Sequence, residues 1–215
     1  MGRKIVYSIA GVLLLVMVIC NSAIAQSAPE TQDASIKHFG LRAGLLLSTV
    51  TIDSGYWDQD PGIKPGIDLA ISASIPLGKG RFALQPELHW LQKGYQISDA
   101  TADTFLFGKV INTFNYIDLP VLLRYSFGAS KNLFVTGGPC AGYFISGTQN
   151  SDTYGTQSFD KSTFHRLEWS MYLGAGLVLG ALEVDLRYMQ GFNDIAEGTA
   201  DVINRSFSAG LRYAF

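Results

Sequence analysis

Residues 206–215 constrain the fold of this chain more than any other stretch. Read at a period of two, Phe207, Ala209, Leu211, Tyr213 and Phe215 fall on one side and Ser206, Ser208, Gly210, Arg212 and Ala214 on the other. That is the pattern of a β-strand with two unlike faces. An apolar face running in step to a terminal aromatic fits poorly in water. It fits a strand that closes a barrel and sets Tyr213 and Phe215 at a lipid headgroup boundary, where aromatic rings are favoured.

The same alternation recurs seven times upstream, over 39–47, 66–77, 82–93, 116–127, 133–146, 167–179 and 182–188. In the first run Phe39, Leu41, Ala43, Leu45 and Leu47 oppose Gly40, Arg42, Gly44 and Leu46. In 133–146 the Gly137-Gly138-Pro139 centre leaves the facing open. Pro86 lacks a ladder donor, which predicts a bulge at that point. The links alternate in length. Polar stretches near 51–63, 98–111, 147–163 and 193–202 alternate with tight links at 78–80, 128–132 and 180–181. Eight strands with this rhythm predict an all-β, eight-stranded antiparallel up-and-down transmembrane barrel with short periplasmic turns and long external loops. No helical period competes, and no stretch after residue 25 is apolar for the ~20 residues of a membrane helix.

Alternation alone does not distinguish lipid outside from a soluble lipocalin-like barrel with its apolar face inward. The terminal Phe215, the loop asymmetry and aromatics near strand ends favour lipid outside. Phe39, Phe82, Tyr125, Phe127 and Tyr213 are expected at the inner boundary, and Trp90, Tyr95, Phe114, Trp169, Tyr188 and Phe192 at the outer one.

The N-terminus reads as an export signal: Arg3 and Lys4, the apolar run 5–19, then Ala23-Ile24-Ala25 as a cleavage site. The expected division is signal 1–25, a short tail 26–38 and the barrel 39–215, with the mature protein in the outer membrane. Bulky Ile19 argues against lipidation at Cys20. Losing Arg3 and Lys4 from the 16 basic residues leaves 14 against 18 acidic ones, a net charge of −4 that argues against nucleic acid. Cys140 is then alone, which excludes an intrachain disulfide or a cysteine metal site.

The inward faces carry Asp68, Glu87, Asp118, Glu168, Glu183 and Asp185 opposed by Arg42, Lys93, Arg124, Arg187 and Arg212. Eight strands enclose a bore that side chains fill. Nearly balanced charges there must pair, because an isolated buried charge costs several kcal/mol. The expected ion-pair network is Arg42, Asp68, Glu87, Asp118, Arg124, Glu183, Asp185, Arg187 and Arg212, which makes the barrel a plugged scaffold rather than a wide pore.

Phe39-Gly40-Leu41-Arg42-Ala43-Gly44-Leu45, Leu84-Gln85-Pro86-Glu87-Leu88 with Lys93-Gly94, and the run 116–125 around Ile117-Asp118-Leu119-Pro120 resemble the PorT-like outer-membrane β-barrel domain. Gly137-Gly138-Pro139, Gly142-Tyr143 and Gly174-Ala175-Gly176-Leu177 continue the likeness in order. The resemblance implies an eight-stranded outer-membrane barrel of Bacteroidetes-type bacteria, without a known catalytic set. It also implies a terminal strand, with Tyr213 and Phe215, that serves as an assembly signal for the barrel-assembly machinery.

Three histidines, His38, His89 and His165, restrict catalytic schemes after the signal. A hydrolase would need His165 to meet Ser162 or Ser170, and no motif links them. Asp58-Gln59-Asp60-Pro61-Gly62 lacks the later glutamate of a calcium loop, so no metal or other cofactor is expected. Tyr56 and Trp57 are candidate contact residues for a partner. The reading is a structural or binding module whose function lies in its external loops. Its expected partners are outer-membrane lipid and an extracellular or secretion-system protein. A lipid or ester hydrolase, a narrow ion pore and the soluble binding barrel are the alternatives.

Overall fold

The computed structural model describes residues 39–53, 61–78, 80–98, 108–128, 130–152, 155–159, 164–195 and 201–215. The signal and tail assigned to 1–38, Tyr56, Trp57, the acidic run from Asp58 and Ser162 lie outside them. Among the described residues there are ten strand segments: β1 Phe39–Asp53, β2 Gly62–Ala73, β3 Ile75–Pro76, β4 Phe82–Ser98, β5 Lys109–Phe127, β6 Leu133–Ser151, β7 Gly155–Ser158, β8 Leu167–Leu179, β9 Leu182–Gly191 and β10 Asp201–Ala214. β2 and β3 are one stave interrupted at Ser74, and β7 lies off the ring, paired with β6. The remaining eight staves pair antiparallel in chain order. The ring closes through β1 on β10, in register from Gly40↔Ala214 to Asp53↔Asp201.

The facing follows the period of two. Leu45, Leu186 and Phe207 stand 72 %, 65 % and 60 % exposed on the outer wall, while Arg42, Asp68, His89, Asp185 and Arg212 are buried inside. An apolar outside around a charged inside excludes the soluble binding barrel. In β6 the open facing resolves with Phe134, Thr136, Cys140 and Phe144 inward. The three short links each turn on a glycine in the left-handed region, Gly78, Gly128 and Gly180, at φ between 68° and 88°. Such a turn is cheap only without a Cβ.

Three details depart from the sequence reading. There is no bulge at Pro86. The ladder of β4 on β5 skips after Pro86↔Val121 and resumes at His89↔Asp118 in unchanged register. Pro120 falls within the skipped part of β5, so both prolines lose their donors at one place and no extra residue is needed. The bulges lie elsewhere, between Ile63 and Asp68 on β2 and between Asn115 and Tyr116 on the β5–β6 ladder. The stretch 147–163 is not a plain loop. β6 runs on to Ser151 and folds back as β7, from Thr148↔Ser158 to Ser151↔Gly155. Finally, Phe114 is buried at 1 % exposure, with Tyr95 packed beside it, rather than placed at the outer boundary.

A membrane strand needs about 9–11 residues. β9 has 10 residues, whereas β5 and β6 have 19 each. The wall formed by β4, β5 and β6, with β7 at its side, therefore stands higher at the loop end, with β5 and β6 longer than β9 by ~30 Å measured along the strand at ~3.3 Å per residue. A closed sheet offers no edge from which unfolding can begin. Folded protein is expected to migrate apart from boiled protein on a denaturing gel; identical migration would contradict closure.

Candidate functional site

Inside the barrel the charged side chains form three layers. At the turn end, Glu183 on β9 receives Arg124 of β5 at 2.8 and 3.1 Å and Arg212 of β10 at 3.0 Å. The Arg124 guanidinium lies 3.8 Å over the Phe134 ring, and Arg212 Nε donates to Ser72 Oγ at 2.7 Å.

The middle layer is a closed ring of six groups with alternating charge. Arg42 pairs with Asp68 and, at 2.6 Å, with Asp185. Asp68 lies 2.7 Å from His89 Nδ1, and His89 Nε2 lies 2.6 Å from Glu87. Glu87 pairs with Arg187, which returns to Asp185 at 3.2 Å. With a carboxylate on each ring nitrogen, both nitrogens of His89 must donate, so the imidazole is the cation the ring needs. Gln85 and Ser208 supply further hydrogen bonds to Glu87 and Asp68, at 2.6 and 2.8 Å. The members come from β1, β2, β4 and β9, so the ring ties opposite walls together across the bore.

At the loop end Lys93 lies 2.9 Å from Asp118 and 3.1 Å from Glu168, with its ammonium 4.6 Å from the Tyr116 ring centre. Tyr172 donates to Asp118 at 2.6 Å and Asn204 to Glu168 at 3.1 Å. Above this layer Phe114 packs against Phe144, Phe159 and Phe164, with centroids 6.2, 5.7 and 5.2 Å away. This aromatic cap, joined by Val50 and Ile195, covers the lumen.

Glycines make room for the ion pairs. A Cβ on Gly210 would lie 2.4 Å from Arg42 Cζ, and one on Gly40 would lie 2.4 Å from Arg212 Nε. Arg42 is held by Asp68, Asp185 and Ser208 and cannot swing away freely. Gly210→Val should therefore cost about 1–3 kcal/mol through overpacking, read as a lower urea midpoint. An unchanged midpoint would mean that Arg42 yields.

Of the sequence-assigned lumen residues, Arg42, Asp68, Glu87, Asp185 and Arg187 lie in the ring, Arg124, Glu183 and Arg212 below it, and Asp118 above. His89 was not among them. Its shared face with Glu87 was the available signal, but the cross-strand approach to Asp68 depends on register. Tyr213 and Phe215 are exposed on the outer wall at the seam. For a hydrolase, His165 is exposed whereas Ser170 is buried in the lumen. Among the described residues no group of three or more His, Cys, Asp or Glu is placed to hold a metal ion.

A closed, eight-stave sheet with a charged inside and an apolar outside now stands beside one further finding: the model of the outer membrane protein beta-barrel domain matches residues 24–197. The chain belongs to that family. Its place is the outer membrane, with the long links external and the short turns periplasmic. Solved structures of similar fold include Ail, the attachment invasion locus protein of Yersinia pestis, at 17 % identity and TM-score 0.47 over 84 % of this chain and 100 % of that one. OprG from Pseudomonas aeruginosa is similar at 15 % identity and TM-score 0.45, over 86 % and 99 %. The outer membrane enzyme PagL follows at 14 % and 0.44, over 81 % and 99 %. These likenesses extend to the fold and not to an activity. No curated protein matched the chain.

Proposed function

We propose that this outer-membrane barrel is a non-catalytic binding module with a plugged lumen, and that its external end makes the contact. The observation that carries the reading is the double closure of the bore, by the six-membered charge ring and by the aromatic cap above it. Solutes that need a continuous aqueous path meet paired, dry charges first and packed rings second. What remains accessible is the raised wall of β4 to β7, and Tyr56 and Trp57, assigned from the sequence to the adjoining link, are the proposed contact residues. The partner class is an extracellular or secretion-system protein. The barrel-assembly machinery is the partner during biogenesis, reading the strand that ends in Tyr213 and Phe215. The Gln85-Pro86-Glu87-Leu88 and Ile117-Asp118-Leu119-Pro120 motifs support a PorT-like branch of the family, and the 1–25 segment an export signal cut after Ala25.

Single-channel recording of the refolded protein in planar bilayers tests the plug. Only baseline current is expected. Stable steps of conductance in the unmodified protein would favour the narrow ion pore instead. Replacing Tyr56 and Trp57 by Ser should lower capture of the protein's partner from intact cells without changing barrel folding; undiminished capture would remove these two residues from the contact.

A further inference from the structure

The outer wall is not evenly studded. A groove of about 550 Å³ crosses it, from Leu182 on β9 and Tyr213 on β10, over β1 and β2, to Trp90 on β4 and Ile117 on β5. The register explains its place. One row of outward side chains crosses the ladders as Leu182, Tyr213, Leu41 and Ile71. The next row, two residues nearer the loop end, crosses them as Ala43, Leu69, Trp90 and Ile117. Ala43 brings only a methyl group where its neighbours in both rows bring large side chains, so the gap between the rows deepens there. Arg42 and His89 border the groove through their backbones, because both side chains are wholly buried in the lumen ring. Leu41, Ile71 and Tyr213 are each more than half exposed, so the groove opens sideways into the membrane.

Its volume is that of a small-molecule site, roughly 300–1,000 Å³, without the charged groups that orient a polar ligand. A trough of this kind on a wall that stands in lipid takes hydrocarbon. Its course favours a lipid from one side of the membrane. Five steps between staves, at ~4.8 Å each, make it roughly 24 Å long. Strands of such barrels tilt by ~35–45°, so a path across them climbs roughly 15 Å, about half of the ~30 Å hydrocarbon core. The climb starts at the turn end, where the Tyr213 ring suits the headgroup level. We propose that the groove binds one acyl chain of a phospholipid from the periplasmic leaflet. The headgroup sits beside Tyr213, and the chain lies over Ala43 towards Trp90. This lipid stays with the barrel while the lipids over the rest of the wall exchange.

The full mature chain, refolded in micelles of a short-chain detergent, provides the test. Trp90 borders the groove, whereas Trp169, 52 % exposed on β8, lies outside it. Two single-tryptophan proteins are compared, one with Trp57→Phe and Trp169→Phe, the other with Trp57→Phe and Trp90→Phe. Each is titrated with a phosphatidylethanolamine whose chains carry bromine, which quenches indole emission on contact. Quenching of Trp90 should saturate at one lipid per barrel, while quenching of Trp169 should keep rising with the lipid content of the micelle. Unlabelled phosphatidylethanolamine should reverse the Trp90 effect. Ala43 is exposed on the outer wall, away from the core. Ala43→Leu should therefore fill the groove and remove the saturable phase without altering the gel migration of the folded barrel. Parallel, unsaturating curves for both tryptophans would overturn the proposal, as would saturation that survives Ala43→Leu. Reversal by lipid A at the same concentration would overturn the assignment to a phospholipid. A dimer in sedimentation that shields Trp90 from the brominated lipid would overturn it in favour of a second copy of the chain.

Discussion

Glu87→Ala is expected to destabilise the barrel by about 3 to 5 kcal/mol, the usual cost of breaking a buried ion pair from one side. Glu87 contacts three groups at once, His89, Arg187 and Gln85. Its loss leaves Arg187 with Asp185 alone and His89 with Asp68 alone, where all four side chains are at most 1 % exposed. Urea unfolding of the protein in vesicles, followed by tryptophan fluorescence, measures the effect. Removing Arg187 as well should recover part of the loss, because the second variant no longer carries an unpaired guanidinium. A loss below about 1 kcal/mol would place the ring among solvated surface pairs, and the lumen could then not be dry. The single variant should also raise conductance above baseline if the ring is the plug.

The second large effect concerns the seam. Deleting Phe215 together with Tyr213→Ser should abolish accumulation in the outer membrane while leaving export intact. Phe215 N donates to Phe39 O at 2.9 Å, and Phe39 N donates back at 3.3 Å, so the last residue completes the β1–β10 ladder. Tyr213 and Phe215 are 53 % and 58 % exposed on the lipid-facing wall, at the turn end where aromatics anchor a barrel. Quantitative blotting of membrane fractions reads the result. Undiminished outer-membrane levels of the double variant would show that neither the end of the ladder nor the ring pair is required.

Much of the fold was legible because the lumen and the lipid demand opposite chemistry on alternate residues. The run 167–179 could be bounded on both sides, since Leu, Trp and Met alternate there with Glu, Ser, Tyr and Gly. The expectations for Phe114 and for 147–163 fail where the strand leaves the membrane. Phe114 shares the parity of Tyr116 and Asp118 on β5, but once above the bilayer the outer face no longer has to be greasy. The inward face there is the apolar one, so an aromatic near a strand end is not by itself the mark of a boundary residue. In β6 the bulge beside Asn115 and Tyr116 moves the inward set from Phe144 to Gly147, a shift that composition does not announce. Which charges share a layer was not legible either, because cross-barrel neighbours follow from stagger. Arg42 and Asp185 are 143 residues apart, and only the closed sheet makes them adjacent.

That separation also bears on how the barrel comes into being. Ring contacts span 26, 100 and 143 residues, so the ring cannot be assembled from the N-terminal hairpins alone. A chain lacking β9 would hold Arg42, Asp68, His89 and Glu87 in an open, wet trough with no partner wall. Long-range closure is slow, since the entropy of bringing distant segments together is lost before any contact compensates. Once β9 has docked, departure of one stave would strand charges on several others. The molecule should therefore open as a single unit, slowly, and fragments ending before β9 should be degraded rather than persist as partial barrels.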